Sequence, residues 1–101
     1  MAGKQSERIR GCMMFRLWAK QWKEGHMVKD TVVCDDSQLR RTQKVFAALA
    51  TACRSFDLAE PIWLDKTVRE FQLHAKARFY QDHFIEEIPF DYLEIEVIED
   101  D

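Results

Sequence analysis

The chain has 101 residues, a length at which folding hides roughly 60–65% of the surface that the unfolded chain would expose, enough for one modest core. With 47% hydrophobic and 12% aromatic residues, the composition is typical of a globular protein and excludes the disordered class. The formal net charge is only −3, but residues 1–24 sum to +4, residues 25–81 to +2 and residues 82–101 to −9. A basic start and an acidic finish are therefore the main electrostatic feature.

The three cysteines, Cys12, Cys34 and Cys53, indicate a reducing environment. They cannot all pair, and none lies in a CxxC motif or at a zinc-binding spacing, so neither a disulfide framework nor a structural metal is predicted. The charged N-terminus lacks an apolar run of signal-peptide length, and nowhere do about 18 apolar residues follow one another. We therefore expect a soluble cytoplasmic protein without a membrane segment, in which Cys34 and Cys53 are small core residues.

The chain begins with an arm and a hairpin. Residues 1–12 are polar and aperiodic and predict a flexible arm, followed by one domain over residues 13–101. Apolar and polar residues alternate in MFRLWAKQW, residues 14–22, which is typical of a half-buried strand. KEGH supplies a turn at Gly25, and the β-branched segment MVKDTVVC, residues 27–34, predicts the returning strand.

A helix is predicted over residues 38–56. Asp35, Asp36 and Ser37 precede it and offer side-chain oxygens that can cap its first turn. Apolar residues that recur at helical spacing define the face expected to cover the sheet, namely Leu39, Val45, Phe46, Leu49, Cys53 and Phe56.

A short link and a second helix follow. Pro61 ends any helical continuation, and residues 62–64 predict a short strand or a buried extended link. Asp65 or Thr67 is expected to cap the second helix, whose apolar face would be Val68, Phe71 and Ala75.

The segment over residues 71–81 fits both helix and strand, because its residues also alternate between apolar and polar. We place the end of the helix between residues 74 and 80 and a connection with a helical turn over residues 81–90. Alternation from Tyr92 to Glu99 predicts a last strand. The predicted fold is a two-layer α+β domain with a mainly antiparallel sheet, formed by the N-terminal hairpin plus the C-terminal strand and covered by two helices.

The acidic ending has two interpretations. If the last strand pairs with the first, Glu94 and Glu96 share an outward face with Arg16 and Lys20, and the charges neutralise one another. Alternatively, the acidic groups form a surface that meets a basic protein and occupies a site that normally receives nucleic acid, as an inhibitor from a mobile element would. The acidic groups left without a predicted partner are Glu86, Glu87, Asp91, Glu99, Asp100 and Asp101.

Trp18 and Trp22 lie among the basic residues Arg16, Lys20 and Lys23. Such a stretch can bind nucleic acid weakly, with aromatic rings stacked on bases and cations on phosphates. Exposed tryptophans on a sheet more often support cross-strand packing or a protein contact. We therefore favour a protein partner over nucleic acid.

A catalytic or metal site is not indicated by the sequence. His74, Asp82, His83 and Asp65 are the candidates, but they follow no recognised ligand spacing, and no serine or cysteine has a patterned base partner. No glycine-rich phosphate loop occurs either. We therefore predict no catalytic residue, no metal and no cofactor.

Two segments carry a resemblance to a group of proteins. PIWLDK, residues 61–66, and FIEEIPFDYLEIEVIE, residues 84–99, preceded by an FRLWAK-like strand, resemble small bacterial proteins to which no activity is assigned. The resemblance implies a compact bacterial cytoplasmic domain and no functional residues.

The favoured hypothesis is a small non-enzymatic module that binds a protein or regulates one. An exposed hairpin edge would also allow a homodimer that extends the sheet. The candidate partner-binding residues are Trp18, Trp22, Glu94, Glu96, Glu99, Asp100 and Asp101.

Overall fold

The computed structural model describes residues 14–99, which form one four-stranded sheet and two α-helices. The elements are β1 (Phe15–Lys23), β2 (His26–Asp35), α1 (Arg41–Ser55), α2 (Asp65–His74), β3 (Lys76–Phe79), a short 3₁₀ helix (Gln81–His83) and β4 (Tyr92–Glu99). The strand order is β2-β1-β4-β3, and every neighbouring pair is antiparallel. The predicted α+β fold is confirmed, and the predicted arm lies outside the described residues.

The hairpin between β1 and β2 turns where the sequence predicted. Its two loop residues, Glu24 and Gly25, both have positive φ, 52° and 79°. Two left-handed residues in succession form the type I′ turn, whose twist matches that of the flanking strands. Gly25 adopts this conformation without a steric cost, since it has no Cβ.

The first and last strands lie side by side, as predicted. Lys20 is paired with Glu94 and Trp18 with Glu96 across β1 and β4. Because side chains alternate between the two faces, the intervening residues point to the core. The fully buried core residues of these two strands are Phe15, Leu17, Ala19, Leu93 and Ile95.

Helix α1 begins at Arg41, three residues after the predicted start at residue 38. The predicted capping by Asp35, Asp36 and Ser37 is wrong, since no side chain caps this helix from the preceding turn. Asp35 Oδ1 instead accepts a hydrogen bond from the Ser37 N–H at 2.8 Å. Gln43 Oε1 accepts from the backbone N–H of the residue before the helix, at 3.2 Å. Ser37 Oγ in turn accepts from the Leu39 N–H at 3.3 Å, so the side-chain oxygens of Asp35 and Ser37 stabilise the turn between β2 and α1.

One stripe of α1 covers the sheet. Its buried apolar residues are Val45, Ala48, Leu49, Ala52 and Cys53. Leu39 and Phe46, which the helical pattern placed on this face, are 46% and 51% exposed. Leu39 precedes the helix, and Phe46 lies at the margin of the stripe. Within residues 14–99, no helix is both long enough and apolar enough to cross a bilayer.

The ambiguous segment over residues 71–81 contains both predicted structures in succession. Helix α2 ends at His74, Ala75 has a φ of 55°, and Lys76 begins β3. The left-handed residue reverses the chain and allows the strand to follow at once. The predicted interval for the helix end, residues 74–80, is therefore confirmed at its first position, and the strand-like alternation belongs to β3.

The link before α2 is irregular rather than a strand. Trp63 packs edge-to-face against Phe46, Phe71 and Phe79, with ring centroids 5.8, 5.7 and 5.0 Å away. The N-cap of α2 is Leu64, which makes no side-chain cap, so the predicted capping by Asp65 or Thr67 is wrong. Aromatic packing of Trp63 thus holds the link that leads into this helix against the core.

The two described cysteines differ in environment. Cys53 is 1% exposed, as predicted, and burial together with the charge of Glu60 raises the pKa of its thiol to about 12. Cys34 is exposed, so its predicted place in the core is wrong. It lies opposite Arg16, on the outward side of the edge strand β2.

Candidate interaction surface on the open sheet face

Both helices lie on one face of the sheet. Helix α1 packs against β1 and β2, and α2 packs against β3. No element of residues 14–99 covers the opposite face, which we call the open sheet face. Its side chains come from alternate positions of the strands: Arg16, Trp18, Lys20 and Trp22 of β1, Asp30, Val32 and Cys34 of β2, Tyr92, Glu94, Glu96 and Glu99 of β4, and Lys76 and Arg78 of β3.

Charged side chains occupy the centre of the open sheet face. The Lys20 Nζ lies 3.1 Å from Glu94 Oε1 and 3.0 Å from Glu96 Oε1. Arg78 approaches from β3 and donates from Nε to Glu94 Oε2 at 3.2 Å. Surrounding side chains cover these groups so well that Lys20 is 6% and Glu94 only 4% exposed. The centre is therefore a compact ion-pair network of four residues from β1, β3 and β4.

The network shifts the ionisation of its two central residues in opposite directions. Burial by itself lowers the pKa of Lys20, but hydrogen bonds to Glu96 and Glu94, together with their charges, outweigh burial and leave this pKa raised. Burial by itself raises the pKa of Glu94, whereas hydrogen bonds from Lys20 and Arg78 and their charges leave it lowered. Both groups therefore stay charged on either side of neutral pH.

Aromatic rings flank the network toward the hairpin end. The indole Nε1 of Trp22 donates to Glu94 Oε1 at 3.1 Å, which ties the ring to the network. Trp22 also stacks on Tyr92, with ring centroids 6.4 Å apart, and the Tyr80 ring lies 5.3 Å beyond Tyr92. The Arg78 guanidinium lies 5.0 Å above the Tyr92 ring. Three half-buried or exposed rings thus form a continuous aromatic row.

A second aromatic position lies on the other side of the network. Lys20 Nζ is 4.1 Å from the centroid of the Trp18 ring, a cation–π contact. The Trp18 Nε1 donates to Asp30 Oδ2 on β2 at 2.9 Å. Both indole N–H groups of the open sheet face are therefore hydrogen-bonded within it, and the apolar parts of the rings remain available for contact.

Glu99 has a partner that the sequence did not predict. Arg16 Nε lies 2.9 Å from Glu99 Oε1, and Glu99 Oε2 accepts from the Met14 N–H at 3.2 Å. The register of β1 and β4 shifts between Arg16 and Leu17, and this bulge brings Glu99 opposite Arg16. Asp91, also predicted to lack a partner, accepts from the Glu24 N–H at 2.7 Å.

The open sheet face is electrically balanced. Its strand positions carry the four cations Arg16, Lys20, Lys76 and Arg78 and the four anions Asp30, Glu94, Glu96 and Glu99. Three of the cations contact a carboxylate on the same face at 3.2 Å or less. The asymmetry between a basic start and an acidic finish is thus largely neutralised where the first and last strands meet.

Four of the predicted partner-binding residues, Trp18, Trp22, Glu94 and Glu96, lie together on the open sheet face. Glu99 lies at the end of the same face, beside Arg16. The two remaining predicted residues, Asp100 and Asp101, lie outside the described residues.

Tyr92, Arg78 and Tyr80 are central to this surface but were not among the predicted site residues. The strand-like alternation of Arg78 and Tyr80 was visible in the sequence, where it competed with a helical pattern. Tyr92 is the first residue of a strand that was predicted correctly. Its place in the aromatic row depends on the register with Trp22, which local alternation does not specify.

The histidine candidates have structural contacts. His83 is 1% exposed; its Nε2 lies 2.7 Å from Thr67 Oγ1, and its Nδ1 accepts from the Tyr80 N–H at 3.0 Å. Asp82 Oδ1 lies 2.9 Å from the same Nδ1. His74 and His83 line an open groove of about 450 Å³, which Asp65 does not line. In the described part of the chain, no three His, Cys, Asp or Glu residues are arranged to hold a metal ion.

Comparisons with known proteins identify no relative from which a function could be inferred. No family model, no curated protein and no solved structure matches it. The resemblance of residues 61–66 and 84–99 to small bacterial proteins therefore stays a prediction.

Proposed function

We propose that this chain is a small non-enzymatic protein-interaction module, and that the open sheet face receives a protein partner with an apolar, uncharged contact surface. The observation that carries the proposal is the combination of half-buried aromatic rings, with the exposed Tyr80 beside them, and charges that are already paired within the face. Such a surface offers aromatic contact area that becomes buried when a partner binds, and the partner need not supply counter-charges.

The charge balance favours a protein over nucleic acid. Binding of a phosphate backbone draws on cations that can replace the counterions of the nucleic acid. Lys20 and Arg78 already contact Glu94, and Arg16 contacts Glu99. Moving these cations to phosphates would leave the carboxylates behind, close to the incoming negative charge.

The same balance weighs against an acidic inhibitor that imitates nucleic acid. Such a mimic presents carboxylates to the cations of its target. Glu94 is 4% exposed and holds two cations of its own chain, and Glu96 contacts Lys20. The carboxylates of Glu94 and Glu96 are therefore paired with cations of the open sheet face itself.

The aromatic residues are suited to anchor a partner because their orientation is fixed in advance. Trp18 is held through Asp30, and Trp22 through Glu94 and Tyr92. Large rings that are already ordered lose little conformational entropy on binding, which favours affinity. Val32, 44% exposed beside Trp18, extends the apolar contact area toward β2.

The test is an affinity capture from an extract of the source cells, followed by a titration with the purified partner. Wild type, Trp18→Ala, Trp22→Ala and Leu73→Ala are compared as baits. Leu73 is the matched control, because it is an apolar residue, 73% exposed, on α2 and away from the open sheet face. We expect one protein that binds wild type and Leu73→Ala directly and binds Trp18→Ala at least tenfold more weakly, as is typical of an aromatic anchor.

Two results would contradict the proposal. One is a partner that the Trp18→Ala and Trp22→Ala baits retain with unchanged affinity, since the contact would then lie elsewhere. The other is tight binding of single-stranded DNA or RNA by the purified chain that weakens steeply as salt is raised, the signature of phosphate contacts. A flat nucleic-acid titration at low salt, combined with loss of the protein partner in Trp18→Ala, is the expected pair of results.

A further inference from the structure

The second exposed surface of this chain is the outer edge of β2. This strand is ten residues long and contains no proline, and within residues 14–99 no other strand pairs with its outer side. Its apolar side chains Met27, Val28 and Val32 are 43%, 51% and 44% exposed. Long edge strands with apolar side chains and free backbone groups tend to pair with another strand.

The backbone direction at this edge follows from the rest of the sheet. The carbonyl of Trp22 accepts a hydrogen bond from the Asp91 N–H at 2.8 Å, so this residue directs its backbone groups toward β4. By alternation Trp18 does the same, whereas Leu17 and Ala19 face β2, where their partners are Val33 and Thr31. The groups of Asp30, Val32 and Cys34 therefore point away from β1, to the open edge.

For a second copy that pairs antiparallel along this edge about a two-fold axis, two registers centred on residues with outward backbone groups can be compared. A register centred on Asp30 opposes two like carboxylates across the axis, which is unfavourable. A register centred on Val32 instead opposes Val32 to Val32, Asp30 to Cys34 and Lys29 to Asp35. Because the axis repeats each pair, two lysine–aspartate pairs form on the helix-covered side of the sheet, while Val32 contacts its copy on the open sheet face.

We infer that the occupant of this edge is a second copy of the chain, and that two β2 strands pair antiparallel with Val32 on the two-fold axis. Backbone hydrogen bonds of Asp30, Val32 and Cys34 and the two Lys29–Asp35 pairs hold the dimer. The helices of both copies lie on the same side of the joined sheet. The two open sheet faces consequently form one continuous surface, which goes beyond the function proposed for a single copy.

A charge exchange tests the register. Lys29→Glu opposes Glu to Asp35 in a homodimer, and Asp35→Lys opposes Lys to Lys29. Either substitution is expected to weaken self-association on the order of tenfold in sedimentation equilibrium, because two attractive pairs become repulsive. A mixture of the two variants restores dimers, since each copy then supplies the charge that the other lacks. Failure of the well-folded mixture to associate beyond its components would overturn the register.

A disulfide crosslink provides a test that does not depend on those variants folding. Val32→Cys is made in the full chain with Cys12→Ser and Cys34→Ser, and the buried Cys53 is retained. Opposed residues in the inferred register have Cα atoms about 5.5 Å apart, within disulfide range. The matched control is Val28→Cys in the same background, whose two copies lie about 27 Å apart in this register.

We expect rapid oxidation to a covalent dimer for Val32→Cys and none for Val28→Cys. Equal crosslinking of the two variants, or a wild-type chain that stays monomeric at millimolar concentration, would overturn the inference. Val32→Pro, which removes an N–H facing the open edge, should abolish the dimer while near-ultraviolet circular dichroism stays unchanged. Trp18→Ala should leave the dimer intact, so failure of the dimer and failure of partner binding are distinguishable.

Discussion

The two faces of the sheet use the same strands but are stabilised by different interactions. On the helix-covered face, Leu17 and Ile95 are fully buried and pack against other apolar groups. On the open sheet face, Lys20 and Glu94 are almost as well covered, but by one another and by aromatic rings. On the first face, free energy is gained by removing apolar surface from water. On the second face, the free energy of burial depends on the geometry of the ion pairs and hydrogen bonds.

The difference teaches where stability and where specificity reside in this fold. Burial of apolar surface drives folding, so the covered face contributes most of the free energy of folding. Its apolar packing also tolerates rearrangement. A buried ion pair contributes little net free energy, but it penalises every arrangement that separates its members. We therefore expect the network around Glu94 to help specify the register of β1, β3 and β4, and its hydrogen bond to Trp22 orients that ring.

The largest expected effect comes from breaking the covered face. Leu17→Ala removes a fully buried side chain and should lower the free energy of unfolding by about 2–5 kcal/mol. Val32→Ala, on the open sheet face and 44% exposed, should cost less than about 1 kcal/mol at concentrations where the chain is monomeric. Urea denaturation of both variants checks this difference. Similar losses would mean that the two faces do not differ as described.

The next effect comes from removing one charge of the network. Glu94→Gln keeps the side-chain shape but leaves Lys20 and Arg78 with less compensation, and it should cost about 1–3 kcal/mol. This loss is smaller than in a deep core, because Glu96 and Arg78 are partly exposed to solvent, which screens their charges. The double variant Lys20→Met with Glu94→Leu should be more stable than the sum of the single losses predicts. A double-mutant cycle measures this coupling, and additive losses would contradict it.

The pH dependence of the free energy of unfolding tests the charged network of the open sheet face separately from the apolar core. The pKa of Glu94 is lowered on folding, so its contribution is present above its unfolded pKa of about 4.3 and is lost as pH falls through the folded pKa. The pKa of Lys20 is raised, so its contribution is present below about 10.4 and is lost as pH rises through the folded pKa. Stability measured from pH 2 to pH 7 should therefore fall more steeply at the acid end in wild type than in Glu94→Gln. Parallel curves would show that Glu94 is not linked to folding.

The smallest expected effect concerns the indole of Trp22. Trp22→Phe keeps a ring beside Tyr92 but removes the hydrogen bond to Glu94, and it should cost about 1 kcal/mol. Trp18→Phe loses a hydrogen bond to the exposed Asp30 and should cost less. Thermal denaturation of the two variants compares them. A larger loss for Trp18→Phe would show that the hydrogen bond from Trp18 to Asp30 contributes more to stability than the one from Trp22 to Glu94.

Much of the architecture could be predicted from local patterns, and the errors have identifiable causes. Alternation gave the faces of β1 and β4, and the predicted pairing of these strands is confirmed. The predicted partners of the charges were correct for Lys20 but not for Glu99, because a bulge brings Glu99 opposite Arg16. The predicted core position of Cys34 was wrong because this residue of the edge strand β2 faces the open side of the sheet, which no helix within residues 14–99 covers.

The sequence by itself determined the hairpin, the helical stripe of α1 and the side of each strand that faces the core, because periodicity depends only on the local conformation of the chain. Only the tertiary structure decided that Glu94 lies between Lys20 and Arg78, that Tyr92 stacks on Trp22 and that β2 lies at the edge of the described sheet. These features depend on strand order and register across long separations in sequence. Contacts of that kind are fixed by the fit of the whole sheet and leave no periodic trace in any one segment.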